Sequence, residues 1–294
     1  MLLDAQDFLD EQTYHRGRLA RALMQVAGGG TLAGLRLAHQ TAISGGDAAR
    51  PEEIRVEPGL AVDRLGRLIE LTRPACLRLA RWWEATAADS LQQAAYTDFS
   101  NLLSARAQSG LTPPARAVVA DVFLRFTACP RGLTPAFASG PFDALNAVAT
   151  SRVRDAYELQ LVTRPGLDDD FAGLPLPAGS GSIPGEREAE AAAREAAMGT
   201  PGTDAAGRAA HRAALQDAVL YGYAVGGDSD ASGNLAPLAE HPLGMDSSAI
   251  FLARVLIPVG AGDPPERAGD AVVVDNYSRR FLPGVALLAR WNGY

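Results

Sequence analysis

The chain contains no lysine: all 27 of its basic side chains are arginines, set against 34 acidic ones, for a formal net charge of −7. That balance argues against broad nucleic-acid binding, which needs clustered cations to displace counterions from phosphates. Local arginine clusters can still meet acidic partners. Cysteine is nearly absent. Cys76 and Cys129 are too few for a disulfide framework and lack the C-x-x-C spacing of a zinc or redox site, so both are expected as inert, buried thiols. Long apolar runs are missing too. The longest, Ala249 to Ala253 and Arg254 to Ala261, fall well short of the roughly 20 residues a membrane span needs. The first residues are acidic where a secretory signal is basic, and no apolar h-region follows. Together these absences predict a cytoplasmic protein with no direct membrane insertion.

Catalytic and metal-binding patterns are also scarce. The four histidines, His15, His39, His211 and His241, are scattered, with no H-x-H or H-E-x-x-H spacing, and there is no G-x-S-x-G elbow. The run Gly28-Gly29-Gly30-Thr31 follows a helix and lacks the lysine of a phosphate loop. Asp4, Asp7 and Glu11 offer paired carboxylates to a glycan or cell-wall hydrolase, but on one helical stretch capping and the helix dipole account for them. One segment matches the opening of a calcium loop. Asp228, Asp230 and Ser232 alternate as oxygen donors and Gly233 stands sixth, yet Ala239 occupies the position of the bidentate glutamate. The competing reading is a polar turn; on the calcium reading the chain is a calcium- or ligand-binding interaction module, the alternative to a structural role. No cofactor other than calcium is a candidate, and the chain is read as a non-enzyme.

Periodicity organises the rest. Residues 4 to 27 predict a helix with Phe8, Gln12, His15, Leu19, Leu23 and Val26 on its packed face, Asp4 as N-cap and Gly28 to Gly30 as its stop. Strands follow at Leu32 to Leu37, Ile54 to Glu57 and Leu68 to Leu71, with turns at Pro58-Gly59 and Leu65-Gly66. Residues 80 to 110 read as helical, with Trp82, Trp83, Leu91, Tyr96, Phe99, Leu102 and Leu103 as core positions. Ala117 to Ala128 and Tyr157 to Thr163 read as strands around a helical turn at Phe142 to Arg154. From Arg164 the composition turns to Gly, Pro, Ala and Ser, an insertion with helices near 186 to 198 and 204 to 223. Ala249 to Val259, Ala271 to Asp275 and Val285 to Trp291 are expected as strands. The expected fold is α+β: an N-terminal amphipathic helix on a mainly antiparallel, β-sandwich-like core with a helical Pro/Gly-rich insertion. Its expected parts are 1–79, 80–163, 164–245 and 246–294.

Five groups of residues carry a resemblance. They are Leu2-Leu3-Asp4-Ala5-Gln6-Asp7-Phe8 with Glu11-Gln12-x-Tyr14-His15; Gly30-x-x-x-Gly34-Leu35-Arg36-Leu37 with Val56-Glu57-Pro58-Gly59-Leu60-Ala61-Val62-Asp63-Arg64-Leu65-Gly66-Arg67-Leu68-Ile69; Cys129-Pro130; Ser151-Arg152-Val153-Arg154-Asp155-Ala156-Tyr157-Glu158-Leu159; and Val274-Asp275-Asn276-x-x-Arg279-Arg280. In these the chain resembles an uncharacterised baseplate-associated family of phage-tail-like contractile injection systems. It is more distantly similar to type VI secretion baseplate adaptors and to the shoulder domains of phage receptor-binding proteins. An aromatic H-G-W-G stretch of that family is replaced here by Ala27-Gly28-Gly29-Gly30-Thr31, and residues 164 to 245 have no counterpart in it. The resemblance implies a structural component that docks on baseplate and tail-fibre or adaptor proteins of the same particle, as a homo-oligomer, commonly a trimer. The interface residues it implies are Leu3, Asp7, Phe8, Glu11, Tyr14, His15, Pro58, Gly59, Asp63, Arg67, Asp275, Asn276, Arg279 and Arg280. On their own chemistry, the paired arginines at 279 and 280 suit the carboxylates of a neighbour.

Overall fold

The computed structural model describes residues 5–46, 49–135, 148–167, 173–175, 235–269 and 271–291. The chain divides into one unit of Met1–Leu174 with Ser248–Tyr294 and a second of Pro175–Ser247. The stretches expected as N-terminal, middle and C-terminal parts thus join in one compact unit. In the second unit a tight turn is closed by the His241 N–H on the Leu238 carbonyl and by the Leu238 N–H on His241 Nδ1, both at 2.9 Å.

The first unit is an α+β fold, as expected. Helix α1 (Ala5–Ala27) leads to two small antiparallel sheets. Strands β1 (Gly30–Gly34), β4 (Gly59–Val62) and β5 (Leu68–Leu71) make one, in the order β1-β4-β5. Strands β2 (Leu37–Gln40), β3 (Glu53–Val56) and β6 (Ala75–Arg78) make the other, in the order β2-β3-β6. Helices α2 (Leu79–Ala85) and α3 (Ala88–Gln93), the rung β7 (Ala95–Tyr96) and helix α4 (Ala105–Gly110) lead into the largest sheet. There β8 (Ala117–Pro135) pairs with β9 (Val148–Thr163), β10 (Ile250–Pro258) and β7, and β11 (Val273–Asp275) flanks β10. Helix α5 (Val285–Trp291) follows.

Two hydrophobic clusters pack against opposite faces of the large sheet. Val118, Ala120, Val122 and Leu124 of β8 join Ile54, Val56, Ala61, Ile69 and Leu71 from both small sheets in one core. Ala117 and Val119 point the other way, onto Phe99, Leu102, Leu103 and Ala107. With both faces covered, every residue of β10 is buried, so that strand reads as a continuous apolar run rather than an alternation. One charged group lies within it. Arg254 is fully buried and grips Asp121 with Nε and Nη2 at 2.8 and 2.9 Å, while Nη1 donates to the Leu102 carbonyl at 3.1 Å. Arg164 adds a second guanidinium 3.3 Å from Asp121.

Several expectations are corrected. Val285–Trp291 is a helix, not a strand: Leu, Ala and Arg favour helix, and among the described residues no strand lies alongside it to complete a ladder. Of the helical turn expected at Phe142 to Arg154, Val148 to Arg154 belongs to β9 instead, because it pairs with the far end of β8, and residues 142–147 lie outside the described residues. The expected helix over 80 to 110 is broken. The Thr86 hydroxyl donates to the Trp82 carbonyl at 2.7 Å where α2 ends, and Ser104 opens α4 as its cap. Cys76 and Cys129 are exposed, the first on an edge strand and the second on the outer half of β8. The packed face of α1 is also rotated. Leu9, Gln12, Arg16, Ala20, Leu23 and Met24 are half-buried, whereas Phe8, His15, Leu19 and Val26 are exposed.

Candidate interaction site

The motif residues converge around the two turns that link the small sheets. Gly34 has φ of +64°, and a Cβ there would overlap the Pro58 carbonyl; a Cβ on Gly59 would overlap Leu35 N and Ala33 O. Glycine at both positions is what lets β1 and β4 touch backbone to backbone. The next residue, Leu35, is fully buried with φ of +53°, an unfavourable conformation for a branched side chain. It is held at both ends. Its N–H donates to Pro58 O at 3.1 Å, and its carbonyl accepts from Arg279 Nη1 at 2.6 Å.

Arg279 and Asn276 form the clamp that does this. The Asn276 side chain exchanges two hydrogen bonds with the backbone of Leu37, at 2.8 and 2.9 Å, as a neighbouring strand would. Arg279 also donates to Asn276 Oδ1 at 2.8 Å and to the Asn276 carbonyl at 3.0 Å. Burial draws the Arg279 guanidinium down to about 10, against the attraction of Asp275. Asp275 is itself fully buried, accepting from Ser104, from the Tyr277 N–H at 2.8 Å and from the Ser278 hydroxyl at 2.6 Å. Arg279 therefore braces the chain's own backbone instead of meeting a neighbour's carboxylates. Arg280 is half-buried, and its carbonyl accepts from the Thr31 N–H at 2.9 Å.

The hairpin motif is internal in the same way. Asp63 is fully buried and accepts from the N–H groups of Leu65 and Arg67 at 3.0 and 2.8 Å and from Arg67 Nε at 2.6 Å. Burial raises its carboxyl above the usual aspartate value even though Arg67 opposes that. Arg67 continues to the Ser248 hydroxyl at 2.8 Å and stacks over Phe126 at 4.7 Å. Pro58 sits at the β3–β4 turn.

Of the expected interface, the helix positions reach solvent. Phe8, Tyr14, His15 and Leu19 are exposed, with His15 3.9 Å from Glu11. Asp7 and Glu11 are also exposed. Leu3 lies outside the described residues, as do Asp228, Asp230 and Ser232 of the candidate calcium loop and both expected helices of the insertion. Among the described residues no group of three or more His, Cys, Asp or Glu could hold a metal, and no helix is long and apolar enough to cross a membrane.

The sequence signalled the inner halves of β8 and β9 as strands but not the long ribbon they form. Its ladder runs from Ala120↔Thr163 out to Pro135↔Val148, past the end of β10, which pairs with β8 only as far as Leu124. Helix α1 lies along it: the Val153 N–H donates to Gln12 Oε1 at 3.1 Å, Arg16 meets Asp155 at 2.6 Å and covers the Phe126 ring. Between helix, hairpin and ribbon run two cavities of about 400 and 640 Å³ that share Leu19, Leu68 and Asp155.

Among the described residues, His39 and Glu52 form a close histidine–carboxylate pair, at 2.8 Å. Both ring nitrogens are engaged, because Nδ1 faces the Val272 N–H at 3.3 Å, which leaves the Nε2 proton for Glu52. Arg267 grips the same carboxylate at 2.6 and 2.7 Å and holds it below the usual glutamate range. The trio ties β2, the β2–β3 connection and the segment after β10 together. Set against family models, curated proteins and solved structures, the chain finds no match.

Proposed function

We propose that this chain is a docking component of a larger assembly, and that the assembly is the baseplate of a phage-tail-like contractile injection particle. The single observation that supports docking is how the polar residues divide. Asp63, Asp275, Asn276 and Arg279 are spent on internal clamps, while α1 presents the exposed apolar side chains Phe8, Tyr14, Leu19 and Val26 beside a ribbon that extends past the core. Phe8, Leu19 and Val26 stand 11 and 7 positions apart, on one side of the helix, and an exposed apolar stripe of this kind supports a contact surface. The identity of the assembly rests on the motif resemblance, with baseplate, tail-fibre or adaptor proteins as partners and a homo-oligomer as the working form.

The test is mass in solution by light scattering, followed by mixing with sheathless baseplates from a contractile-system strain that lacks this chain. The expected result is a stable oligomer that co-sediments, and loss of co-sedimentation in the Phe8→Asp, Leu19→Asp double variant with the circular dichroism spectrum unchanged. A monomer that stays in the supernatant refutes the reading.

A further inference from the structure

The register of the β8–β9 ribbon sorts its charges. Side chains directly opposite one another share a face, and so do residues two apart on one strand. At the inner end of one face Arg125 stands opposite Glu158, and the two form an ion pair. Further out on the same face Thr127 is opposite Ala156, Cys129 is opposite Arg154, and Arg131 is opposite Arg152. The outer rungs therefore gather Arg131, Arg152 and Arg154, all exposed, including one like-charge pair directly across the ladder. Such a pair destabilises the ribbon that carries it.

Among the described residues, the acids nearby do not neutralise the cluster. Glu158 is engaged by Arg125 and by Gln160 at 2.9 Å, and Asp155, on the opposite face, is held by Arg16. Glu70 lines the 640 Å³ cavity together with Arg131 and Arg154 but makes no ion pair with either. Among the described residues these three guanidinium groups meet no carboxylate, on a chain whose net charge is −7.

We infer that the outer β8–β9 ribbon is a docking surface for a carboxylate-rich, extended segment of a partner protein. Three arginines in a net-acidic chain suit a short acidic segment better than a nucleic acid, whose continuous phosphates the rest of the molecule repels. Guanidinium forks match carboxylates, and arginines at alternate positions, about 7 Å apart along a strand, match acids at alternate positions of an extended partner. This deepens the docking reading and rests on it, since it names a second surface and the chemistry of what binds there.

The test uses the full chain and a labelled peptide of alternating glutamate and serine, followed by fluorescence anisotropy at low and physiological salt. The wild type is expected to bind, with affinity falling as salt rises. Arg152→Glu is expected to bind about tenfold or more weakly. Because that change places opposite charges across the ladder, it is also expected to raise the urea midpoint, which separates lost binding from lost folding. No peptide binding by the wild type, or equal binding by Arg152→Glu, overturns the inference. So does tighter binding of a double-stranded oligonucleotide than of the peptide. Self-association abolished by the same substitution assigns the surface to a second copy and overturns it as well. Baseplate co-sedimentation depends on the α1 variants, so a failure here leaves that reading standing.

Discussion

Ser104 and Asp275 lie 171 positions apart, yet the backbone N–H and the hydroxyl of Ser104 both donate to the Asp275 carboxylate, at 2.7 and 2.8 Å. The same hydroxyl accepts from the Ala107 N–H and so caps α4. A residue near the C-terminal end of the chain thereby sets the start of a helix in its middle. Through Asn276 and Arg279, the same segment also holds the β1–β2 turn.

Asp275→Ala is expected to destabilise the fold by about 2–4 kcal/mol, because it strands several buried donors at once. Urea denaturation should show a lower midpoint at unchanged slope. A loss below about 0.5 kcal/mol would mean that the carboxylate's partners find water instead.

Gly66→Ala probes how α1 is seated. Gly66 has φ of +77°, and a Cβ there would run into the Ala20 carbonyl of the helix. The substitution is expected to lift α1 from the hairpin, read as faster amide exchange across residues 9 to 24 while β8 and β10 stay protected. Uniform exchange in both regions would show that α1 and the sheets open as one unit.

Asp121→Asn removes the carboxylate from a fully buried site that holds Arg254 and Arg164. Breaking a buried pair by deleting one partner costs about 3–5 kcal/mol. The expected outcome is a chain largely unfolded at physiological temperature, measured by thermal melting. Melting within a few degrees of the wild type would contradict it.

Glu52 governs part of the acid limb of stability. Its carboxyl is lowered by the Arg267 hydrogen bonds, so its contribution is present above the unfolded value of 4.5 and is lost as pH falls through the folded value. Asp63 acts with the opposite sign. Its carboxyl is raised by burial, so folding favours its protonated form and its contribution weakens as pH rises through 3.8 toward the folded value. Glu52→Gln is expected to lower the urea midpoint at pH 7, with the difference from wild type shrinking below pH 4.5. A difference that persists undiminished in acid would assign the effect to packing.

Much of the local structure was legible because it depends on near neighbours. The α1 span, its stop at Gly28, the Pro58-Gly59 and Leu65-Gly66 turns and the cores of β5, β8 and β10 follow from periodicity and from the glycine positions. The 3.6-residue pattern of α1, however, offered more than one apolar face. Which face packs was decided by Val153, Asp155 and the Gly66 turn, all distant in sequence.

The candidate site divides along the same line. Sequence alone singled out Asp63, Asp275, Asn276 and Arg279 as residues in a pattern, and it placed Arg152 and Arg154 in one motif without relating them to Arg131. Only the tertiary structure decided that the first group faces inward, since a backbone acceptor such as Leu35 O is supplied by chain 244 positions away. It was the β8–β9 register, likewise, that brought Arg131 opposite Arg152. Composition and short-range pattern determine which elements this chain can form. Burial and long-range strand pairing decide which charges are spent on the fold and which stay exposed, because both depend on surfaces that exist only after distant segments have met.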